Sequence, residues 1–168
     1  MNNTSYESKI EDTVYCNDRS IDNLGGFKYN GGAFDFDSTT TYKALDRYDN
    51  MDKPSFACNT HDAFTVSSTK GNGKLDYPVG LISLDEISII GGISGDVGSG
   101  QSGVNTWTMT PSSFAIGKVA NVYFETNTKY TYGTEVNTTN GLRPVISLNS
   151  TSHIKSGTGS ASTPYIIE

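Results

Sequence analysis

The last third of the chain is a series of short strand patterns separated by turn residues. Trp107 opens the run WTMTPSSF, GLRPVISL covers residues 141–148, and PYII follows a Gly/Ser segment at residues 164–167. Short runs rich in β-branched and aromatic residues, bounded by Gly, Pro, Asn and Ser, predict strands. With YPVGLISLDEI at residues 77–87, these runs predict one closing sheet with one helix.

The chain has few aliphatic side chains, but its aromatic residues make a core feasible. Ten Tyr and seven Phe accompany a hydrophobic fraction of 35%, and Asn, Ser and Thr make up about a third of the 168 positions. Large aromatics bury much area per residue, whereas Gly, Asn and Ser favour turns. A chain of this length suits one domain. We therefore predict a polar leader over residues 1–12 and a single α+β domain over residues 13–168, with short antiparallel strands, one or two helices and long loops.

Two helices are predicted from spacing and capping residues. Ser83 precedes Glu86 by three positions, which is the capping-box pattern, and an apolar face continues to the Gly-Gly pair at residues 91–92. Residues 42–51 place large side chains three apart, as on one face of a short helix that ends before Pro54. Further strands are predicted over residues 13–16, 33–36, 56–66, 77–83, 118–126, 142–148 and 165–167.

The charge pattern argues against two classes of partner. The formal net charge is −6, and Lys and Arg are scattered rather than clustered. Nucleic-acid binding needs clustered cations, and an anionic membrane surface is disfavoured for the same reason. No stretch of 18 apolar residues is present, and the polar start MNNTSYESK is no signal peptide. We expect an exported form to carry its targeting or anchoring segment before Met1.

The two cysteines, Cys16 and Cys58, indicate the cellular compartment. They form no CxxC pair, and His61 alone does not complete the four-ligand set of a zinc site. One disulfide in a secreted or surface-displayed protein is the interpretation we favour. Two buried thiols in a cytosolic protein are the alternative.

Acidic residues in the first third raise the question of calcium. The spacing and the glycine of an EF-hand loop are missing, so we interpret these residues as solvated acidic loops and keep calcium as the alternative. No other cofactor is expected. The carboxylates concerned are Asp35, Asp37, Asp46, Asp49 and Asp52.

The sequence predicts no catalytic residue. Asp85 and Glu86 are neighbours on a helix and point apart, and Glu86 already has a capping role. His61 and His153 are the only histidines, and no GxSxG elbow accompanies them. A secreted hydrolase that uses carboxylates among Asp35, Asp37, Asp85 and Glu86 is kept as the alternative function.

A polar, tyrosine-bearing loop or hairpin over residues 126–140 is the candidate ligand surface. Tyrosine and asparagine give adaptable contacts at low entropic cost, and aromatic rings with amides suit sugars by stacking and hydrogen bonding. Solubility of a loop is the competing explanation. The predicted ligand-binding residues are Tyr123, Asn127, Tyr130, Tyr132 and Asn137.

Arg143 lies inside the apolar run GLRPVISL. A buried guanidinium is costly unless it is paired. We therefore expect its stem to be buried and its head to donate hydrogen bonds to backbone carbonyls or to a carboxylate.

Three motifs resemble the C-type-lectin-like fold, in the bacterial and phage branch that includes formylglycine-generating-enzyme-like domains and the variable proteins of diversity-generating retroelements. They are GLISLDEI, WTMTPS and GLRPVISL, within residues 75–168. The terminal PYII also resembles surface proteins of gut bacteria, some of which carry a pilin-like helix. The resemblance implies a scaffold that displays a variable ligand surface just before the GLRPV strand. Formylglycine-generating enzymes use paired cysteines near their C-terminus, where this chain has none, so their activity is not implied.

These observations together favour a non-catalytic, extracellular binding or adhesion domain for a glycan or a protein ligand. The domain would be the exposed part of a pilin or fibre protein, or act alone at the cell surface. The alternatives are the carboxylate-dependent hydrolase and a purely structural pilus or surface subunit.

Overall fold

The computed structural model describes residues 7–21, 40–49, 53–90, 105–115, 118–125 and 130–168. These parts contain several short antiparallel strands and few helices, which is compatible with an α+β protein. The strands are β1 Ile10–Glu11, β2 Tyr15–Cys16, β3 Thr40–Thr41, β4 Ala63–Phe64, β5 Thr106–Ala115, β6 Lys118–Glu125, β7 Tyr130–Glu135, β8 Ser147–Leu148, β9 Ile154–Ser156 and β10 Ile166–Ile167, and the helices are α1 Lys43–Asp49 and α2 Leu84–Ile89.

The largest sheet has four antiparallel strands in the order β3-β5-β6-β7. Strands β5, β6 and β7 follow one another in the chain as a meander, and β6 pairs with β7 without interruption from Ala120↔Glu135 to Glu125↔Tyr130. The stretch predicted as a polar loop or hairpin, residues 126–140, therefore contributes strand β7 to the sheet, and the hairpin is formed by β6 and β7 together. The β5–β6 register shifts twice, near Pro111, because proline has no N–H to donate to the ladder.

The core lies between the two helices and one side of β5. Leu84 and Ile87 of α2 are almost fully buried, and they pack with Leu45, Tyr48 and Ile82. The facing side of β5 is polar: Thr106, Thr108, Thr110 and Ser112 are all buried. Alternate residues of a strand point to the same side, so this side of β5 faces the interior with hydroxyls rather than aliphatic groups.

Helix α2 begins as the sequence predicts. The Ser83 Oγ accepts from the Glu86 N–H at 3.2 Å, and Glu86 Oε2 accepts from the Ser83 N–H at 2.8 Å. The Thr110 Oγ1 accepts from the Leu84 N–H at 2.9 Å, which satisfies another donor that the first turn leaves without an intrahelical partner. Helix α1 is also present, and its described range, Lys43–Asp49, lies within the predicted 42–51.

The predicted disulfide is confirmed. Cys16 and Cys58 are bonded, with their Cα atoms 5.8 Å apart. The strand predicted over residues 56–66 is wrong in extent, because only β4 pairs, with β2. Before β4, Asn59 holds a turn: its Oδ1 accepts from the His61 N–H at 3.0 Å, and its carbonyl accepts from the Ala63 N–H at 3.0 Å. Such side-chain-to-backbone bonds compete with a strand ladder.

Two predicted core strands, over residues 77–83 and 142–148, are reduced to isolated pairings. Gly80 pairs with Val145, and only the last two residues of the second stretch form β8. Each stretch contains a proline, Pro78 or Pro144, which cannot donate to a ladder. The closing stretch is also less buried than expected, since Leu142 is 70% exposed.

Arg143 as a whole residue is half-buried. The expected partner for its guanidinium is not found among the described residues, none of which forms an ion pair with it.

The first and the last strand of the described chain each pair with another strand. Strand β1 pairs with β8, and the Asp12 carboxylate accepts from the Val66 and Ser67 N–H groups at 2.8 and 2.9 Å. The predicted terminal strand is confirmed as β10, which pairs with β9. Gly157, with φ of 98°, makes the turn out of β9, and a side chain there would overlap the Pro164 carbonyl. Neither α1 nor α2, nor any other helix in the described ranges, has the length and apolarity of a membrane span.

Candidate ligand-binding surface

Three aromatic residues occupy one row across the β5–β6–β7 meander. Trp107 of β5 lies opposite Tyr123 of β6, and Tyr123 lies opposite Tyr132 of β7. Residues directly opposite each other on antiparallel strands share a side of the sheet. Tyr130 is two positions before Tyr132 in β7, so the period of two places it on the same side. We call these four residues the aromatic row.

The aromatic row lies on the side of the sheet away from the helices. Thr110 of β5 faces α2, because its hydroxyl bonds the first residue of that helix. A Cβ on Gly133 would touch the Ser112 side chain, so Gly133 also faces the helix side. Trp107 is three positions from Thr110, and Tyr132 is next to Gly133. Because successive residues of a strand alternate between the two sides of a sheet, both lie on the side away from the helices. Trp107 is half-buried there.

The structure places the remaining predicted ligand residues less fully. Asn137 lies in an exposed turn directly after β7, five positions beyond Tyr132. Asn127 lies outside the described residues. The structure brings Tyr123, Tyr130 and Tyr132 together by register, and Asn137 stands beyond the far end of the same strand. The ligand-binding role of all five residues stays a prediction.

A second concave feature is a groove at the edge of β5 with a volume of about 500 Å³. Two short strands supply its aromatic wall, Tyr15 from β2 and Phe64 from β4. The Tyr15 hydroxyl donates to the Pro78 carbonyl at 2.9 Å, and the ring lies so close to Gly80 that any side chain there would overlap it. The lining is mostly apolar, and it contains no carboxylate. The sequence pattern does not reveal this groove, because its walls come from five separate segments.

A half-buried ion network joins the two helices. The Arg47 guanidinium of α1 donates from Nε to Asp85 Oδ1 at 3.0 Å and from one terminal nitrogen to Asp85 Oδ2 at 2.6 Å. The same nitrogen donates to Asp18 Oδ2 at 2.9 Å, and the Ser55 N–H donates to Asp85 Oδ1 at 2.8 Å. The hydrogen bonds to Asp85, followed by those to Asp18 and the charges of both, raise the pKa of Arg47 further above its usual range.

The network also fixes the protonation of Asp18. Burial alone would raise the pKa of this carboxyl, but hydrogen bonds from Ser20 and Arg47, together with the Arg47 charge, outweigh burial and lower the pKa below its usual value. The Asp18 side chain is 15% exposed. Asp18 therefore stays ionised and paired at neutral pH.

Acid should destabilise the protein through Asp18. A carboxyl whose folded-state pKa is lowered contributes stability above its unfolded value of about 3.9, and that contribution is lost as pH falls through the folded pKa. Replacing Asp18 by Asn should therefore cost about 1–2 kcal/mol at pH 7, and the deficit should shrink below about pH 4. Urea unfolding at a series of pH values measures both. Glu168→Gln, at an exposed ion pair, is the control and should change little. A deficit that stays constant with pH would contradict this role of Asp18.

The described residues hold no group of three or more His, Cys, Asp or Glu side chains arranged for a metal ion. Asp35, Asp37 and Asp52, three of the carboxylates weighed for calcium, lie outside the described residues. Asp46 and Asp49 lie on α1.

No protein-family model, no curated protein and no solved structure matches this chain.

Proposed function

We propose that this protein is an extracellular, non-catalytic binding domain, and that the aromatic row is the centre of its ligand surface. The observation that carries the proposal is the β5–β6–β7 register, which aligns Trp107, Tyr123 and Tyr132 on the side of the sheet away from the helices. The helix side of β5 carries threonines and a serine instead of aromatic residues. Aromatic residues aligned on the opposite side are arranged for contact with something other than the helices.

The chemistry of the row suits a glycan or a protein ligand. Tyrosine rings offer a flat apolar surface and a hydroxyl that both donates and accepts hydrogen bonds. Asn137 would add an amide at the far end of β7, and Asn127 would add another. A rigid sheet with recognition residues on it and on the adjoining loops is a common arrangement for binding. The C-type-lectin-like scaffold and its variable ligand surface belong to this proposal.

An extracellular or cell-surface location is supported by the disulfide between Cys16 and Cys58. Structural disulfides persist in oxidising compartments and are rare in the cytosol. The acidic chain, with a formal net charge of −6, supports no partnership with nucleic acid.

The hydrolase alternative loses two of its four carboxylates to structural roles. Asp85 is held by Arg47 and by the Ser55 N–H, and Glu86 closes the capping box of α2. A general acid or base must be able to reach a substrate proton, whereas these two groups face the protein's own donors. Asp35 and Asp37 lie outside the described residues.

The structural-subunit alternative has one observation in its favour. Several large apolar side chains after residue 140 are exposed, which is typical of surfaces that pack against another molecule. They are Leu142, Ile146, Leu148, Ile154, Tyr165 and Ile166. Assembly into a fibre through this segment is compatible with a ligand surface on the meander.

The test replaces Tyr130 and Tyr132 together by alanine. We expect the double variant to lose at least tenfold in affinity for whichever glycan an array screen identifies, because each lost ring contact contributes about 1 kcal/mol or more. Titration by calorimetry gives the affinity, and a thermal melt checks folding. Tyr77→Ala with Tyr165→Ala is the matched control, since both tyrosines are about half exposed and lie away from the meander.

Two results would contradict the proposed surface. If the double variant unfolds, the two tyrosines are core residues. If it folds and binds as strongly as the wild type, the ligand uses another site, and the groove behind Tyr15 and Phe64 is the next to be mutated.

A further inference from the structure

The turn after β7 contains a sequence pattern that points to a different role for Asn137 from the ligand contact proposed above. Asn137, Thr138 and Thr139 form an Asn-x-Thr acceptor for N-linked glycosylation, a pattern that belongs on surface loops of exported proteins.

The structure leaves this acceptor open. Residues 136–139 are all exposed, and the Thr138 N–H donates to the Glu135 carbonyl at 2.9 Å, which closes a tight turn with Asn137 near its tip. Among the described residues, neither the Asn137 amide nor the Thr139 hydroxyl has a hydrogen-bond partner. The asparagine that must react and the hydroxyl that a transferase must recognise are therefore both accessible.

The described residues contain a second acceptor pattern, and its side chains already form hydrogen bonds within the protein. Asn149, Ser150 and Thr151 also match Asn-x-Thr/Ser. The Asn149 amide nitrogen donates to the Ser8 carbonyl, and its oxygen accepts from the Thr151 hydroxyl at 2.8 Å and from the Ser152 hydroxyl at 2.9 Å. Both the Asn149 amide and the Thr151 hydroxyl of this pattern are therefore already paired.

We propose that Asn137 is an N-glycosylation acceptor of the exported protein. In the reaction the Asn137 Nδ2 attacks the anomeric carbon of an oligosaccharide carried on a polyprenyl diphosphate. The new carbon–nitrogen bond forms as the bond from the anomeric carbon to the diphosphate oxygen breaks. The polyprenyl diphosphate leaves with that electron pair, and Nδ2 loses one proton. The attached glycan extends from the end of β7 that is remote from Tyr130.

The test expresses the full chain behind a periplasmic signal peptide in bacteria that make an oligosaccharyltransferase and an undecaprenyl-diphosphate-linked oligosaccharide. A short acceptor peptide fused after Glu168 reports that the system is active. Asn2 and Asn3 also match Asn-x-Thr/Ser, so both are replaced by Gln in the tested chain. We then expect intact mass to show one glycan besides that on the reporter, and peptide mapping to place it on Asn137. Asn137→Gln and Thr139→Val should each remove it, whereas Asn149→Gln should not.

An unmodified Asn137 in cells that glycosylate the reporter would overturn the proposal, as would modification of Asn149 in its place. Thermal melts of the variants exclude loss of folding as the cause. Because ligand binding is measured on unglycosylated protein with the Tyr130 and Tyr132 variant, failure of one proposal leaves the other intact.

Discussion

Replacing Asp85 by alanine should cost about 3 kcal/mol of the free energy of unfolding, the largest loss that we expect from a single carboxylate in the described chain. Breaking a buried pair by removing one partner costs about 3–5 kcal/mol, because the other charge stays buried without compensation. The Asp85 side chain is 7% exposed and that of Arg47 17%. In the variant Arg47 keeps only Asp18, and the Ser55 N–H loses its acceptor. Urea unfolding at pH 7 measures the loss.

The control for Asp85 is Glu168→Ala. Glu168 pairs with Lys155 at 3.1 Å, but both side chains are more than half exposed, and such pairs contribute little. A triple variant, Arg47→Met with Asp85→Leu and Asp18→Asn, should recover much of the loss, because it removes all three charges of the network. If the free energy of unfolding of Asp85→Ala lies within about 0.5 kcal/mol of that of Glu168→Ala, the network does not hold the two helices together. A difference of that size is typical of substitutions at plain surface positions.

The parts of the fold that the sequence predicts well depend on short-range contacts. The capping box of α2 is a reciprocal contact between residues three apart, so Ser83 and Glu86 identify the helix start by themselves. Strand β6 lies within the run 118–126 that alternation predicts as a strand, whereas β7 lies in the stretch predicted as a polar loop or hairpin. The disulfide follows from counting two cysteines in a composition typical of secreted chains.

The parts that the sequence does not predict depend on long-range pairing. Strand β1 pairs with β8, and Arg47 forms an ion pair with Asp85, which is 38 positions away in the sequence. Residues 77–83 and 142–148 read as buried strands because they are apolar, yet Pro78 and Pro144 limit each to isolated pairings. The threonines of β5 are buried against the core, although aromatic residues were expected to supply its buried area. The sequence does not show that the Thr110 hydroxyl will accept a hydrogen bond from the Leu84 N–H, which is what allows this threonine to be buried.

The candidate ligand surface also has a part that the sequence predicts and a part that depends on long-range contacts. Tyrosines in a polar stretch can be selected from sequence, and the register then brings Tyr123 and Tyr132 side by side. Which side of the sheet they occupy depends on the helices, through the Thr110 contact to Leu84. The groove could only be found from coordinates, because its walls come from separate segments of the chain. The exposure of the turn at Asn137 also depends on the folded structure.

Replacing both cysteines by alanine should cost about 4 kcal/mol, because the cross-link that removes chain entropy from the unfolded state spans 42 positions. The loss should also be local. Cys16 ends β2, which pairs with β4 over only two residues, and the Asn17 N–H donates to the Asp62 carbonyl at 3.0 Å just beyond. Without the bond this short ladder should open first, so amide hydrogen exchange at Asn17 should accelerate more than exchange within β6, which is paired on both sides. The groove wall formed by Tyr15 and Phe64 belongs to the same ladder and should loosen with it. Urea unfolding and hydrogen exchange by mass spectrometry measure the two effects on the double variant, which leaves no free thiol to scramble. Equal acceleration in β6 and at Asn17 would mean that the disulfide stabilises the domain as a whole rather than this strap.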